Sequence, residues 1–315
     1  MKLGTNLVCF IPARKESYRS HEEAARLCLN AGFEFVDCHV AFTENPDYLN
    51  IARDLRRQYD AAGVKVHQIH MPLFRFRKDE DGVALFRKHA PRAMECADIL
   101  GARAAVAHVD EYRISSPDEW VFDRILEITA DYFSTAVESG KKYGILPCIE
   151  NIYEDHLNVP EDCRSRFSAE TEDLIALADL FNGQVGICWD FGHGQVAYGE
   201  KMPAELRKVG KRLAATHVHD NHSGKDLHLP PFFGKVDWET IMPYLKEINY
   251  DGFFSFELLR SSFPDGLVQE TLNYLHATGR KLFSMADIYP AGCMTAVSSK
   301  SENFCVSTGR NRRSR

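Results

Sequence analysis

The sequence predicts a single (β/α)8 TIM barrel, and three observations lead there. Apolar runs of strand length alternate with stretches of helical periodicity, eight of each along the chain. Parallel strands joined through helices need that repeat, and 315 residues is a length at which such a barrel closes as one domain. The third to the eighth strands each end on one His, Asp or Glu, and a barrel builds its site from strand carboxyl ends. An open doubly wound sheet is the alternative, but no Gly-x-Gly-x-x-Gly follows the first strand.

In chain order the strands are expected at Leu3–Phe10, Phe33–Val40, Val64–Met71, Arg103–Val109, Leu146–Asn151, Val185–Phe191, Leu213–His219 and Gly252–Leu258. Helices are expected around 20–30, 46–62, 80–100, 118–143, 169–181, 203–209, 238–248 and 265–283. Pro46-Asp47, Ser116-Pro117-Asp118-Glu119, Ser168-Ala169-Glu170 and Asp237-Trp238-Glu239 suit helix starts, where side-chain oxygens accept from unpaired N–H groups. Gly32, Gly63, Gly101, Gly144 and Gly183 stand where helices should stop, because a residue without Cβ turns left-handed at little cost. The barrel is expected over residues 1–284, with a disordered tail over 285–315 that is rich in Ser and poor in large apolar side chains.

The polar residues fall into register on this frame. Strand three ends on His70, strand four on His108, strand five on Glu150, strand six on Asp190, strand seven on His217 and strand eight on Glu257. Beyond the tips, His193 follows Asp190 by three, and the loop after strand seven brings back an Asp226-x-His228 pair. Strand side chains alternate faces, so His217 and His219 leave one side of their strand together. So many ionisable groups aimed at one mouth would cost several kcal/mol in mutual desolvation unless something binds them. The pattern therefore predicts a divalent-metal site of mixed carboxylate and imidazole donors.

Parity agrees. Cys148 and Cys188 precede Glu150 and Asp190 by two, and Ser255 precedes Glu257 by two, which puts small side chains below the ligands on the inward face. Bulky Ile149, Trp189, Phe254 and Phe256 take the outward parity, towards the helices. His21, His39, His67, His89 and His276 fit no such scheme and read as surface or ordinary packed residues, while His156 is a pocket candidate on the loop after strand five.

Composition narrows the class. At 44% apolar and this length, a domain buries about 75% of the surface its unfolded chain exposes, so it needs no cross-links. Nine scattered cysteines with no Cys-x-x-Cys pair suggest reduced thiols and a cytoplasmic protein. The apolar run Leu7–Pro12 is too short for a signal peptide or a membrane span. Net charge is -7; the residues from Met285 onward carry +3, which leaves -10 on the rest. An acidic body repels a phosphate backbone, so neither nucleic acid nor membrane is an expected partner, and a small molecule is.

The strings HQIHMP, IEN after strand five, WDFGH after strand six, HVHDN with DLHLPP and GKVDW after strand seven, and FSFEL at strand eight resemble the xylose isomerase-like TIM barrel superfamily of sugar-phosphate isomerases and epimerases. That superfamily also contains enzymes of the endonuclease IV type. The resemblance runs from about residue 3 to 283. It implies Glu150, Asp190, His217 and Glu257 as metal ligands, with Glu150 and Glu257 also acting as acid and base through an enediolate. His70, His108, His193, Asp226 and His228 are then substrate-binding or secondary metal residues. The implied ion is Mn2+, Mg2+ or Co2+, or Zn2+ if the site is multinuclear; the substrate is a sugar, a sugar phosphate or a polyol-derived keto compound, and a homo-oligomer is compatible with the resemblance. One departure concerns the ketose 3-epimerases, which usually carry an arginine six residues past the strand-seven histidine. Here that position is Ser223, with Lys225 nearby.

Other readings remain at this point. An endonuclease IV-like nuclease uses nine ligands, and all nine residues named above match by order. A metal-dependent lyase or dehydratase starting from a related enolate, and a non-catalytic sugar-binding barrel, use the same scaffold. A glycosidase carboxylate pair would not need the surrounding histidines.

Overall fold

The computed structural model describes residues 1–7, 20–75, 77, 80–154, 163–222, 224–259 and 263–288. Eight strands close into a barrel: β1 (Lys2–Asn6), β2 (Phe35–His39), β3 (Lys65–His70), β4 (Ala104–Ala107), β5 (Leu146–Glu150), β6 (Gly186–Asp190), β7 (Leu213–Val218) and β8 (Phe253–Phe256). Every neighbouring pair is parallel, including β8 with β1. The helices between them are α1 (His21–Ala31), α2 (Tyr48–Ala62), α3 (Gly82–Leu100), α4 (Phe122–Tyr143), α5 (Thr171–Leu180), α6 (Phe191–Tyr198), α7 (Met202–Val209), α8 (Trp238–Glu247) and α9 (Val268–Ile288).

Gly32, Gly63, Gly101 and Gly144 close α1 to α4 in the left-handed conformation, as their positions predict. Asp237 caps α8 by accepting from Thr240 N. Three features differ from expectation, the first being that α9, expected to end at 283, runs on to Ile288, into the segment expected as a disordered tail. The helix expected from 118 begins at Phe122, because Pro117–Glu119 turn as a separate 3-10 segment whose Glu119 side chain accepts from Ser115 N. The short helix α6 is absent from the sequence reading, since its two glycines weaken the helical pattern. Capping rescues it: the Asp190 carboxylate accepts from His193 N at 2.6 Å. Of the strand expected at Leu3–Phe10, β1 takes the first part, and residues 8–10 lie outside the described residues. The predicted tail does too, from residue 289 onward.

Alternation divides the apolar residues into two layers. Val106, Cys148, Cys188 and Ala215 fill the barrel interior with small side chains. Ile149, Trp189, Phe254 and Phe256 point outward into the larger core beneath the helices, where each fully buried ring contributes up to about 3 kcal/mol. Burial pushes the Cys148 thiol up to about 12, so it serves as packing and not as a nucleophile. Among the described residues no helix is long and apolar enough to cross a membrane.

Candidate metal centre

The strand tips, the first turn of α6 and the loop after β7 bring all nine predicted site residues together at one mouth. They form three donor groups whose ligand atoms lie within 4.8 Å of one another: Glu150, Asp190, His217 and Glu257; His70, His108 and Glu150; and His193, Asp226 and His228 joined by His219. Glu150 belongs to two of them, so it is the hinge of the site.

Glu150 ends β5, with its side chain only 1% exposed. Its Oε1 lies 2.9 Å from His217 Nδ1 and 3.6 Å from His193 Nδ1, while Oε2 faces His70 Nε2 at 3.2 Å and His108 Nε2 at 3.4 Å. Burial alone would raise its pKa, but His217, His108 and His70 hold it well below the carboxylate range. Glu257, just past β8, is more open at 13% exposure; Oε2 stands 3.0 Å from His217 Nδ1 and Oε1 3.7 Å from His39 Nε2. It too is held low, by His217, His39 and His228 against its burial. At the end of β6, Asp190 Oδ2 meets His219 Nε2 at 2.9 Å.

The loop after β7 is folded by two buried side chains. Asp220 accepts from Asn221 N, Phe232 N, Val236 N and Trp238 Nε1 at 2.9–3.2 Å. Asn221 Oδ1 accepts from Leu227 N and His228 N at 2.6 and 3.1 Å, which returns Asp226 and His228 to the mouth. There Asp226 Oδ2 lies 3.2 Å from His228 Nε2 and 3.4 Å from His193 Nε2. His228 also stacks on His219, with centroids 3.9 Å apart.

The imidazoles fit a cation through the nitrogens they turn away from it. His70 Nδ1 donates to the Met71 carbonyl at 2.7 Å, His193 Nδ1 to that of Asn151 at 2.9 Å, and His228 Nδ1 to that of Glu257 at 3.1 Å. A ring that donates through Nδ1 keeps its lone pair on Nε2, which in each case faces the mouth. His217 is turned the other way: Asp37 Oδ2 lies 3.4 Å behind its Nε2, and Gln68 Nε2 holds that oxygen at 2.6 Å, so Nδ1 serves the site. Asp110, gripped by Arg166 at 2.6 Å and Arg75 at 3.2 Å, stands 4.0 Å behind His108 Nδ1. Without an ion the carboxylates draw protons onto these rings. Burial opposes this, yet Asp190, Asp226 and Glu150 push His193 up to about 10, and Asp226 with Glu257 pushes His228 to about 9. A cation arriving at such sites displaces protons.

Several members are not among the predicted site residues. His219 shares the inward parity of His217, and that signal was readable. His39, expected to be a surface or ordinary packed residue, stands on the rim against Glu257 and stacks on His70 with centroids 4.6 Å apart. Asp37 and Asn221 stand behind the candidate ligands, where no spacing marks them. Among the remaining residues singled out, His67 is packed on Phe253, whereas His156 and Ser223 lie outside the described residues.

Comparison with known proteins gives the same picture of the fold. A family model described as the xylose isomerase-like TIM barrel matches residues 25–278. The uncharacterized protein y4fM of Sinorhizobium fredii is 28% identical over 182 residues, 56% of this chain and 53% of that protein. The chain thus spans about half of that relative. The uncharacterized protein MJ1311 of Methanocaldococcus jannaschii is 28% identical over 82% of this chain and 83% of its own. An inosose isomerase of Bacillus velezensis is 21% identical over 88% and 97%. Two similar structures are a D-tagatose 3-epimerase-like protein, at TM-score 0.65, 20% identity and 91% and 99% coverage, and an IOLI protein with a bound zinc atom, at 0.69, 18%, 90% and 98%.

Proposed function

We propose, from the premise that this chain belongs to the xylose isomerase-like TIM barrel family, that it is a divalent-metal-dependent isomerase or epimerase of a sugar or polyol-derived ketone. One observation carries the reading: Glu150, Asp190, His217 and Glu257 present their donor atoms within 4.8 Å at the barrel mouth. The inosose isomerase and the 3-epimerase-like relative support the substrate class. Carboxylate and imidazole donors suit Mn2+, Mg2+ or Co2+, with Zn2+ for a multinuclear filling.

A bound cation supplies Lewis acidity, polarising a ketone carbonyl and the neighbouring hydroxyl so that the carbon-bound proton between them becomes acidic. Glu257, the more open of the two glutamates, takes that proton. Glu150 stands three strands away around the ring and returns it from the other side. Return to the opposite face of the same carbon gives epimerisation, and return to the adjacent carbon gives isomerisation. The imidazoles around Glu150 offer positive charge or N–H donors where the enediolate oxygens develop. Proton exchange into ketoses and inososes in heavy water tests this, because enolisation labels the substrate whichever product forms. The metal-loaded protein should label at least one of them, and Glu257→Gln should slow labelling by about 10²–10⁴-fold. Labelling that needs no metal, or that Glu257→Gln leaves unchanged, overturns the proposal.

A second reading is favoured by a specific observation, the three donor groups sharing Glu150. It is a metal-dependent nuclease of the endonuclease IV type. Three ions per chain with salt-sensitive cleavage of abasic DNA would establish it, and one ion with no cleavage would remove it.

A further inference from the structure

The opposite end of the barrel carries a second, chemically distinct recess of about 410 Å³. Its floor is aromatic. Phe35 and Phe253 lie 4.8 Å apart, and the His67 ring stacks on Phe253 at 4.2 Å with an interplanar angle of 26°. A bulge aims His67 there: Val36 pairs with Val66 but Asp37 pairs with Gln68, so His67 is the extra residue and turns inward. Gly4 makes room for it, since a Cβ at that position would fall 2.5 Å from the His67 ring.

Two features of this recess stand out. His67 is only 3% exposed, and the Val36 carbonyl is near it, yet neither ring nitrogen has a partner in bonding geometry. Buried polar atoms are normally satisfied, so a bound group supplying a hydrogen bond would relieve a standing cost. Burial holds the ring neutral, with its pKa down at about 4, so it keeps one N–H to donate and one lone pair. The rim, meanwhile, is cationic. Lys65, Arg103 and Arg56 line the recess, and Lys2 Nζ sits 5.3 Å over Phe35 and 5.7 Å over Phe253. Arg56 is paired with Asp60, but among the described residues Lys2, Lys65 and Arg103 have no acidic partner. On a chain of net charge -7, a rim holding more cations than acids is a local reversal of sign.

We infer that this recess binds a phosphorylated small molecule with a planar ring that carries a hydroxyl, the phosphate on Lys65 and Arg103, the ring against Phe35 and Phe253, and the hydroxyl on a His67 ring nitrogen. Charge-assisted hydrogen bonds from the two side chains hold the phosphate, and stacking holds the ring. 4-Hydroxyphenyl phosphate and inorganic phosphate are the probes, each titrated into the full-length chain by calorimetry and by NMR of the histidine ring signals. 4-Hydroxyphenyl phosphate should saturate one site per chain and shift the His67 signals. It should bind several-fold more tightly than inorganic phosphate. The Lys65→Ala/Arg103→Ala variant, altered only at exposed side chains, should weaken it by about tenfold or more. Glu150→Gln, at the other end of the barrel, should leave the affinity unchanged. Absence of saturable binding, equal affinity for the two probes, or binding that survives Lys65→Ala/Arg103→Ala would overturn the inference. Loss of binding in Glu150→Gln would do so as well, by assigning the phosphate to the mouth.

Discussion

Removing the charge of Glu150 should uncouple the chain from divalent cations, and the size of the effect can be set in advance. Glu150 stands within 3.6 Å of four imidazole nitrogens and contributes to two donor groups. A ligand that binds only the folded chain stabilises it by about 4 kcal/mol when present at roughly a thousand times its dissociation constant. At a sensitivity of about 2 °C per kcal/mol for a large domain, saturating cation should raise the melting temperature by roughly 8 °C. Glu150→Gln keeps the volume but removes the negative charge that offsets a cation's lost hydration, so most of that rise should vanish. The comparison is made by scanning calorimetry of chelator-treated protein with and without Mn2+, Co2+ or Zn2+, with metal content measured on the same samples. A wild-type chain whose melting temperature responds to none of these ions would refute the assignment. So would a variant that keeps the full response, because the shared carboxylate would then not be shared by an ion.

Three other substitutions probe the surroundings of the site. Glu111 is 2% exposed, and burial together with the Asp110 charge pushes its carboxyl up to about 8. A raised carboxyl adds stability that is complete below the ordinary pKa of about 4.5 and lost as pH rises through 8; Glu111→Gln should therefore flatten that decline, worth at most about 5 kcal/mol, in urea melts at pH 5 and pH 9. An unchanged slope would refute it. Asp220→Ala leaves four donors without their acceptor and should cost about 3–5 kcal/mol by chemical denaturation, with loss of metal from the Asp226 and His228 side; a loss below about 1 kcal/mol would contradict the role given to Asp220. Gly192→Ala puts a Cβ 1.8 Å from His219 Cε1, a ring held by Asp190 on one side and His228 on the other, so it should displace His219 and lower metal stoichiometry. Wild-type stoichiometry would show that His219 is no ligand.

The fold, and the gathering of six His, Asp and Glu side chains at the strand ends, were legible because two periodicities constrain them. A strand of four to six residues exposes only its last inward position at the mouth, so a single ionisable residue at each tip identifies both the strand and its direction. The same parity put Cys148 and Cys188 inside and Trp189 and Phe254 outside, where they are found. Helix α6 was not legible, because Phe191–Tyr198 contains two glycines and forms only once Asp190 caps it from the strand end. His39 was missed for a related reason. It ends a strand whose inward residue, Asp37, serves from below, and its approach to Glu257 depends on how β2 and β8 flank β1 around the ring.

The deeper limit lies in what determines the protonation of the donors. Sequence names an imidazole but not the nitrogen that carries its proton, and a cation can use only the other one. Here that choice is made by the main-chain carbonyls of Met71, Asn151 and Glu257 for His70, His193 and His228. Any residue at those positions supplies a carbonyl, so no pattern of side chains records the arrangement. His108 and His217 differ, since the carboxylates of Asp110 and Asp37 stand behind them at 4.0 and 3.4 Å, and His217 is the imidazole that meets both Glu150 and Glu257. A carboxylate behind a ring makes the ring a stronger donor than a carbonyl does. The imidazole common to both glutamates is therefore backed by a charged side chain, whereas the three rings backed by carbonyls stand in the flanking groups.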